Sequence, residues 1–268
     1  MNELREKIAI ITGAGSGIGS SMARTFAEEG ASVVVADISM ERAEKVAEAI
    51  KKKGGVALPV QVDVTRIDDV KGMVRKTLEK FGRIDILVNN AGMGSKSGTI
   101  SSINDLPLEN LDENLWDKVM DVNAKSAFLC SQAVIPTMKK QKSGNIINIG
   151  SSAAFAGARS GSGSGAHYNA SKAAVTNLTK TLAVQLGPYG IRANTISPAF
   201  IYQADPDGTQ SASFGGTAEE WERLIKLTPI GRLGMPKDVA NAAVFLASDK
   251  SSYVHGATLH VSGGNVML

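Results

Sequence analysis

The sequence predicts one α/β domain with three layers, in which a doubly wound parallel sheet of about seven strands lies between two layers of helices. Short apolar runs alternate with longer segments of helical periodicity, which is the pattern of consecutive βαβ units. The 268 residues are 43% hydrophobic, enough for one large core, and no proline- or glycine-rich linker divides them. We therefore predict a single domain over residues 1–268.

The elements follow from these runs. The predicted strands are residues 8–12, 32–36, 57–62, 84–89, 145–150, 192–197 and 258–261. The predicted helices are residues 18–29, 40–53, 67–81, 115–140, 168–186, 218–226 and 236–247. Two long connections, residues 92–114 and 199–217, leave the carboxyl ends of the fourth and sixth strands. Ligands bind at those ends in open α/β sheets, so we expect both connections to wall a substrate pocket.

Composition narrows the class of function. The formal net charge is +3 and the charges are scattered, which argues against a nucleic-acid or membrane surface. The one cysteine, Cys130, lies in an apolar stretch and is expected to be a buried small hydrophobe, with no disulfide framework and no metal site. The apolar run that follows the charged first residues is too short for a signal peptide or a membrane span. Together these features predict a cytoplasmic protein.

A glycine-rich run follows the first strand and precedes a helical pattern: Thr12-Gly13-Ala14-Gly15-Ser16-Gly17-Ile18-Gly19. Such a run lets the backbone approach a pyrophosphate at a helix N-terminus, although by itself it is also compatible with a tight turn. Asp37 ends the second strand, where a carboxylate accepts hydrogen bonds from the adenosine ribose and repels a 2′-phosphate. Because Ile38 and Ser16 supply no cation for that phosphate, we expect NAD to be preferred over NADP. Asp37 is also compatible with a turn or helix-capping role.

Further motifs occur in register along nearly the whole chain. They are Asp63-Val64 after the third strand, Asn89-Asn90-Ala91-Gly92 after the fourth, Asn123, Ser151, Tyr168-Asn169-Ala170-Ser171-Lys172, and Ser197-Pro198 after the sixth. With these motifs the sequence resembles the classical short-chain dehydrogenase/reductase family. The resemblance implies a Rossmann-like fold and a homotetramer formed through the helices at residues 115–140 and 168–186.

Tyr168 and Lys172 also have a chemical reason to act together. Their i, i+4 spacing places both side chains on one face of a helix. A tyrosine with a pKa of about 10 is a poor base at neutral pH, whereas a nearby ammonium favours the phenolate and lowers that pKa. We therefore expect Tyr168 to be a general acid/base whose pKa Lys172 lowers. Outside such motifs this pair is an ordinary feature of a helix surface.

The resemblance assigns the remaining roles. It implies that Ser151, rather than the adjacent Ser152, orients the substrate oxygen, that Lys172 also holds the nicotinamide ribose, and that Asn123 positions a water beside the lysine. The catalytic set is then Asn123, Ser151, Tyr168 and Lys172. The cofactor-binding set is Gly13, Ser16, Gly17, Ile18, Gly19, Asp37, Asp63, Val64, Asn90, Ala91, Gly92, Tyr168, Lys172, Pro198 and Ile201.

The sequence departs from the family pattern in two loops. The serine- and glycine-rich residues 159–165 lengthen the separation between Ser151 and Tyr168, either as a substrate-gripping loop or as a surface insertion. After Pro198, Ala199 and Gln203 stand where the family usually has a glycine and a threonine that contacts the nicotinamide amide. The side-chain amide of Gln203 can still form a hydrogen bond. His167 is assigned no proton-transfer role.

These observations predict an NAD-dependent short-chain alcohol dehydrogenase or ketone reductase. It would transfer a hydride between NAD(H) and a small-molecule secondary alcohol or ketone, and the sequence does not choose among sugar, steroid, acyl-thioester and cyclic ketone. Two alternatives stay open: an NAD-dependent epimerase or dehydratase, which releases the cofactor unchanged, and a dinucleotide-binding regulator without turnover.

Overall fold

Seven strands form one parallel sheet. The computed structural model describes residues 2–94, 108–155, 165–202 and 218–267. Its strands are Ile8–Thr12 (β1), Ser32–Asp37 (β2), Val56–Gln61 (β3), Ile86–Asn89 (β4), Gly144–Ile149 (β5), Ile191–Pro198 (β6) and Thr258–Val261 (β7). They lie in the order β3-β2-β1-β4-β5-β6-β7, and all neighbouring strands are parallel. The predicted fold class is confirmed.

Helices cover both faces of this sheet. They are Gly17–Glu28 (α1), Met40–Lys52 (α2), Ile67–Phe81 (α3), Glu113–Met120 (α4), Ser126–Gln141 (α5), Ala166–Leu186 (α6), Ala218–Lys226 (α7) and Pro236–Ala247 (α8). The apolar sides of α1, α2 and α8 form one core layer with the sheet, and those of α3, α5 and α6 form the other. Every residue of β1 is buried, as expected for a parallel strand that is covered on both faces.

The prediction of one continuous helix over residues 115–140 is wrong. The first of the helices found there, α4, begins earlier, at Glu113, and the carboxylate of Asp112 caps it by accepting a hydrogen bond from the Leu115 amide at 3.0 Å. A π-helical turn, Asp121–Lys125, then separates α4 from α5. Such a turn adds a residue without ending the helix, so the apolar periodicity on each side does not reveal it. Asn123 lies within this turn.

The strand order reverses between β1 and β4, and open sheets of this kind form a ligand-binding crevice at the carboxyl ends of the strands at that point. Thr12, the last residue of β1, ties the two ends together. Its hydroxyl accepts hydrogen bonds from the amides of Asn90 at 3.1 Å and Ala91 at 3.0 Å, and donates to the carbonyl of Val88. The glycine-rich loop and the segment after β4 are therefore fixed side by side.

Cys130 lies in the core layer of α3, α5 and α6. Burial raises the pKa of its thiol to about 12, so the thiol remains protonated near neutral pH and packs as a small apolar group. No helix among the described residues is long and apolar enough to cross a membrane. In the same residues, no three His, Cys, Asp or Glu side chains are grouped as a metal site would require.

Candidate active site

The glycine-rich loop connects β1 to α1 in a conformation that needs glycine. Gly13 and Gly17 have φ angles of +62° and +50°, in the left-handed region that disfavours other residues. A Cβ added to Gly15 would lie 2.7 Å from both the Arg42 Cβ and the Asp37 Oδ2. The loop therefore follows a path that any side chain at these positions would strain or block.

The end of α1 at this loop has the features of an anion site. The helix begins at Gly17, and no acidic residue occupies its first turn. Ser16 is exposed, and its side chain makes no capping hydrogen bond to the helix. Gly19 packs closely on the Gly13 carbonyl and the Asn90 amide. Free N–H groups at such a helix end favour a pyrophosphate, so the loop, with half-buried Ile18, fits the pyrophosphate of a dinucleotide.

Asp37 closes the crevice at the end of β2. Its side chain is 5% exposed. Oδ2 accepts a hydrogen bond from the Gly15 amide at 2.9 Å, and Oδ1 accepts one from the Ser39 amide at 3.0 Å. The Arg42 guanidinium also lies on Oδ1, with its Nη2 at 2.8 Å. Ile38 and Ser16 were expected to supply no cation for a 2′-phosphate; the expectation that none is available there is wrong, because the first turn of α2 brings Arg42 back over the strand end.

A cavity of about 410 Å³ lies between the ends of β2 and β3 and the helix α3. Three of its lining residues are Ile38, Gln61 and Asp63, and the other seven lie in α3 or directly before it. The Asp63 carboxylate accepts hydrogen bonds from the Thr65 hydroxyl at 2.7 Å and the Thr65 amide at 2.9 Å. These bonds hold the pKa of Asp63 below its usual value. Val64 is buried beside it. The predicted cofactor residues Asp63 and Val64 thus follow β3, next to the strand that ends in Asp37.

The segment after β4 forms the opposite wall of the crevice. The Asn90 side-chain amide donates to the carbonyls of Thr12 at 2.9 Å and Gly13 at 3.1 Å. A Cβ added to Gly92 would lie 3.3 Å from Asn123 Oδ1 and 3.4 Å from Lys172 Nζ. The tight segment Asn90-Ala91-Gly92 therefore joins the glycine-rich loop to the predicted catalytic residues.

The end of β6 supplies a third wall. Pro198 is its last residue, and buried Ile201 forms an isolated bridge with Gly234. The bridge uses the carbonyl of Phe200 and the amide of Tyr202 at 2.9 and 2.7 Å. Since neither bond uses the main-chain groups of Ile201 itself, those groups point away from Gly234. This geometry suits the cofactor-binding role predicted for Ile201.

Tyr168, Lys172 and Ser151 come together beside this crevice. Both α6 residues lie on the turns that face the end of β5, and the Lys172 Nζ donates to the Ile149 carbonyl at 2.9 Å. The same Nζ lies 5.8 Å from the centroid of the Tyr168 ring. The hydroxyl of Ser151, two residues after Ile149, accepts a hydrogen bond from the Ala153 amide at 3.2 Å and is hydrogen-bonded to the Tyr168 side chain.

Burial controls the protonation of this group. It raises the pKa of Tyr168, and the hydrogen bond with Ser151 offsets only part of that rise. Burial also lowers the pKa of Lys172 from 10.5 to about 8. The expected net lowering of the Tyr168 pKa is therefore wrong for the protein without cofactor. The cost of removing the phenolate from water exceeds the stabilisation that the neighbouring groups supply.

Asn123 links the catalytic helix to the wall after β4. It is 2% exposed. Its Oδ1 accepts from the Met93 amide at 2.8 Å, and its Nδ2 donates to the Met93 carbonyl and the Ser171 hydroxyl, both at 3.0 Å. Ser171 in turn donates to the Tyr168 carbonyl at 2.7 Å. The π-helical turn thus places Asn123 between the Met93 main chain and α6.

Several predicted features lie outside the described residues. These are Gln203, residues 159–164 of the serine- and glycine-rich loop, and the greater part of the two long connections. His167 is described and is fully buried; its ring nitrogens have no hydrogen-bond partner among the residues described, and burial lowers its pKa. The structure adds three residues that sequence reasoning did not assign to the site, namely Arg42, Ser171 and Met93.

Known proteins resemble the chain over nearly its whole length. A family model described as "Enoyl-(Acyl carrier protein) reductase" matches residues 13–265. An uncharacterized oxidoreductase, YxbG, from Bacillus subtilis is 40% identical over 267 residues, which cover 98% of this chain and 92% of that protein. The 3-oxoacyl-[acyl-carrier-protein] reductase FabG from Staphylococcus aureus is 40% identical over 262 residues, with 97% and 98% covered.

Solved structures give the same result. A 7α-hydroxysteroid dehydrogenase, complexed with NADH and 7-oxo glycochenodeoxycholic acid, superposes with a TM-score of 0.86 at 38% identity, covering 100% of this chain and 98% of that one. The crystal structure of gox2181 has a TM-score of 0.87 at 35% identity, with 99% and 98% covered. The glycine-rich crevice, the grouped tyrosine, lysine and serine, and these similarities lead to one conclusion: the chain belongs to the short-chain dehydrogenase/reductase family of oxidoreductases.

Proposed function

We propose that this protein transfers a hydride between NAD(H) and a secondary alcohol or ketone, with Tyr168 as the general acid/base. The observation that carries the proposal is the meeting of Tyr168, Ser151 and Lys172 at the carboxyl end of β5. The bound nicotinamide would supply or accept the hydride. The residues of the chain would bind the substrate oxygen and move its proton.

In the direction of reduction, the substrate carbonyl oxygen would accept hydrogen bonds from the hydroxyls of Ser151 and Tyr168. Negative charge grows on that oxygen as the hydride reaches the carbon, and two aligned donors stabilise it. Tyr168 then gives up its proton and the alcohol forms. The raised pKa of Tyr168 supports this role, because it keeps the proton on the phenol until the substrate oxygen becomes basic.

Lys172 and Asn123 would support the proton transfer. The Lys172 ammonium, 5.8 Å from the ring centroid, would stabilise the phenolate that Tyr168 becomes. Its lowered pKa of about 8 leaves it mostly protonated at neutral pH yet able to give up a proton. Asn123 Oδ1 and Lys172 Nζ both lie close to Gly92, a placement that suits a water bound between the π-helical turn and the lysine.

The names of relatives support a ketone or secondary alcohol as the substrate. One relative is called a 3-oxoacyl reductase, and one solved relative holds a 7-oxo compound together with NADH. In this chain, the ring of Tyr202 packs edge-on against that of Trp221 with centroids 5.4 Å apart, beside the end of β6. An aromatic wall at this place favours a substrate with apolar bulk next to its carbonyl.

We also propose that NAD(H) is preferred over NADP(H) and that the protein is a homotetramer. Asp37 supports the first proposal, because a buried carboxylate at the end of β2 accepts hydrogen bonds from ribose hydroxyls and repels a 2′-phosphate. Two apolar residues support the second proposal. Phe128 on α5 is 46% exposed and Val184 on α6 is 80% exposed, and contact with another subunit would cover them. Light scattering of the purified protein measures the oligomeric state directly.

The experiment that tests the function is a screen of ketones and alcohols with NADH or NAD, followed by absorbance and run beside Tyr168→Phe. We expect steady cofactor turnover by the wild-type protein, and a variant that binds cofactor but is nearly inactive. Substrate conversion without net change in NADH would point to an epimerase or dehydratase instead. Cofactor binding with no conversion of any substrate would point to a regulator.

A further inference from the structure

A short 3-10 turn follows β5 and fixes the serine of the proposed mechanism. The turn is Ser152–Ala154, with Ser151 directly before it and Phe155 directly after it. The Ala153 amide donates to the Ser151 hydroxyl at 3.2 Å, and the next two amides donate to main-chain carbonyls within the turn at 3.0 and 3.1 Å. The position of the Ser151 hydroxyl therefore depends on the whole hydrogen-bonded turn.

The ring of Phe155 reaches from this turn to the last strand of the sheet. It meets the imidazole of His260 on β7 edge-on, with the ring centroids 4.9 Å apart and the ring planes at 72°. β7 lies two places from β5 in the sheet, beyond β6. The turn also packs against α6, the helix that carries Tyr168. The turn is therefore held between α6 and the edge strand.

The imidazole of His260 lies on the face of the sheet that α6 covers. In the register of the parallel strands, His260 is the partner of Ser197 on β6. Two residues before Ser197, the Thr195 hydroxyl donates to the Thr179 hydroxyl on α6 at 2.8 Å. Residues two apart along a strand point to the same face, and partners in neighbouring strands share it. His260 is therefore on the side where the turn and α6 meet.

The ring of His260, and not its nitrogen atoms, makes the specific contact here. Its Nδ1 is buried without a hydrogen-bond partner among the described residues, and so is the Ser197 Oγ. Burial also lowers the pKa of His260, so the imidazole is neutral near pH 7. A buried polar atom without a partner costs stability, whereas an edge-on pair of rings is favourable. The contact with Phe155 is what this side chain contributes.

We propose that His260 is a positioning residue for Ser151. Its ring holds Phe155, and the hydrogen-bonded turn passes that restraint to the Ser151 hydroxyl, which is hydrogen-bonded to the Tyr168 side chain. The inference rests on the proposed function, because it takes Ser151 to bind the substrate oxygen. A looser turn would misplace one of the two donors and weaken the stabilisation of the transition state. The cofactor would still bind, since its proposed contacts lie outside the turn.

Steady-state kinetics, with a ketone that the screen identifies, tests the catalytic part. We expect His260→Ala to lower kcat about threefold to tenfold, the size of one aromatic contact, with little change in NADH affinity. His260→Phe keeps a ring and removes the unpartnered nitrogen, so it should retain kcat to within about twofold. In a Ser151→Ala background, His260→Ala should lower kcat no further, because the group that it positions is gone.

Hydrogen exchange of the intact protein, without substrate, tests the structural part. Three amides of the turn are hydrogen-bonded, and a peptide over residues 150–155 reports their exchange by mass spectrometry. We expect His260→Ala to speed this exchange about threefold to tenfold, and His260→Phe to leave it at the wild-type rate. Peptides from β1 should exchange alike in all variants.

The chain offers a matched control at the amino end of β6. Tyr189 ends another 3-10 turn, Gly187–Tyr189, and its ring lies 4.1 Å from the Lys139 Nζ. It is 42% exposed, and Phe155 is 38% exposed. Tyr189→Ala removes one ring contact from a turn at the opposite end of the sheet from the crevice. It should change neither kcat nor the exchange of residues 150–155.

Several results overturn the inference and leave the proposed function intact. They are a wild-type kcat in His260→Ala, an equal loss in His260→Phe and His260→Ala, and an equally large effect of His260→Ala in the Ser151→Ala background. Unchanged exchange of residues 150–155 in His260→Ala overturns it with or without turnover. A protein that converts no substrate, but whose turn exchanges faster in His260→Ala, would contradict the proposed function while the restraint by His260 stands.

Discussion

Replacement of Lys172 by methionine should change how the stability of the protein depends on pH. Lys172 is 5% exposed, and burial lowers its pKa from 10.5 to about 8. Between these two pH values the unfolded chain binds a proton that the folded protein has lost. Stability therefore rises with pH across this window, and below it the buried ammonium costs its full penalty.

The size of this effect follows from the pKa difference. Each unit corresponds to about 1.4 kcal/mol, so the lowered pKa of Lys172 costs roughly 3 kcal/mol at neutral pH and roughly 1 kcal/mol at about pH 10. Relative to Lys172→Met, the wild-type protein should gain roughly 2–3 kcal/mol of unfolding free energy between these conditions. Tyr168, whose pKa is raised, acts in the opposite direction only above about pH 10, so the comparison stops there.

Urea unfolding of the two proteins at a series of pH values measures this difference. The two proteins share all other titrating groups. The Ile149 carbonyl loses its lysine donor in the variant, which lowers the unfolding free energy by an amount that does not vary with pH. Lys180→Met provides the matched control, since Lys180 lies exposed on the same helix, and its comparison with wild type should be flat. Parallel curves for wild type and Lys172→Met would refute the burial of an ionisable amine at this position.

Three other substitutions test the parts of the site separately. Gly19→Ala places a Cβ on the Gly13 carbonyl; we expect about 1–3 kcal/mol lower stability and loss of NADH binding, and a fully stable variant would contradict the packing of the loop. Ser151→Ala should lower kcat by about 100-fold with little change in NADH affinity; an unchanged kcat would remove its proposed role. Asn123→Ala loses two hydrogen bonds to Met93 and should lower both the melting temperature and kcat, whereas lower stability at full kcat would make it structural only.

The sheet and its helices were predictable because their signals are local. The runs that become β1 and β7 have the predicted bounds, and α2, α3 and α8 agree to within a residue. A parallel strand buried on both faces has to be a short apolar run, and an amphipathic helix has to repeat every three to four residues. Asp37 and the Tyr168/Lys172 pair were also visible, since a strand end and an i, i+4 spacing are properties of short segments.

The features that the sequence did not predict depend on how helices and strands pack against one another. Arg42 reaches Asp37 only because α2 turns back over the end of β2. The separation of the two residues in the sequence does not show that their side chains form an ion pair. The π-helical turn at Asn123 leaves the apolar periodicity intact on both sides. The raised pKa of Tyr168 depends on how far packing removes its half-buried side chain from water. The sequence shows the neighbouring ammonium but not this packing.

The most direct test of the account follows a deuterium label from the reactive position of NADH during a single turnover, with a ketone that the screen identifies. The account predicts that the wild-type protein delivers the label to the carbinol carbon of the product, and that Tyr168→Phe binds the same NADH but transfers the label about 100 to 10,000 times more slowly. Transfer by Tyr168→Phe at the wild-type rate, or a product without the label, would contradict it.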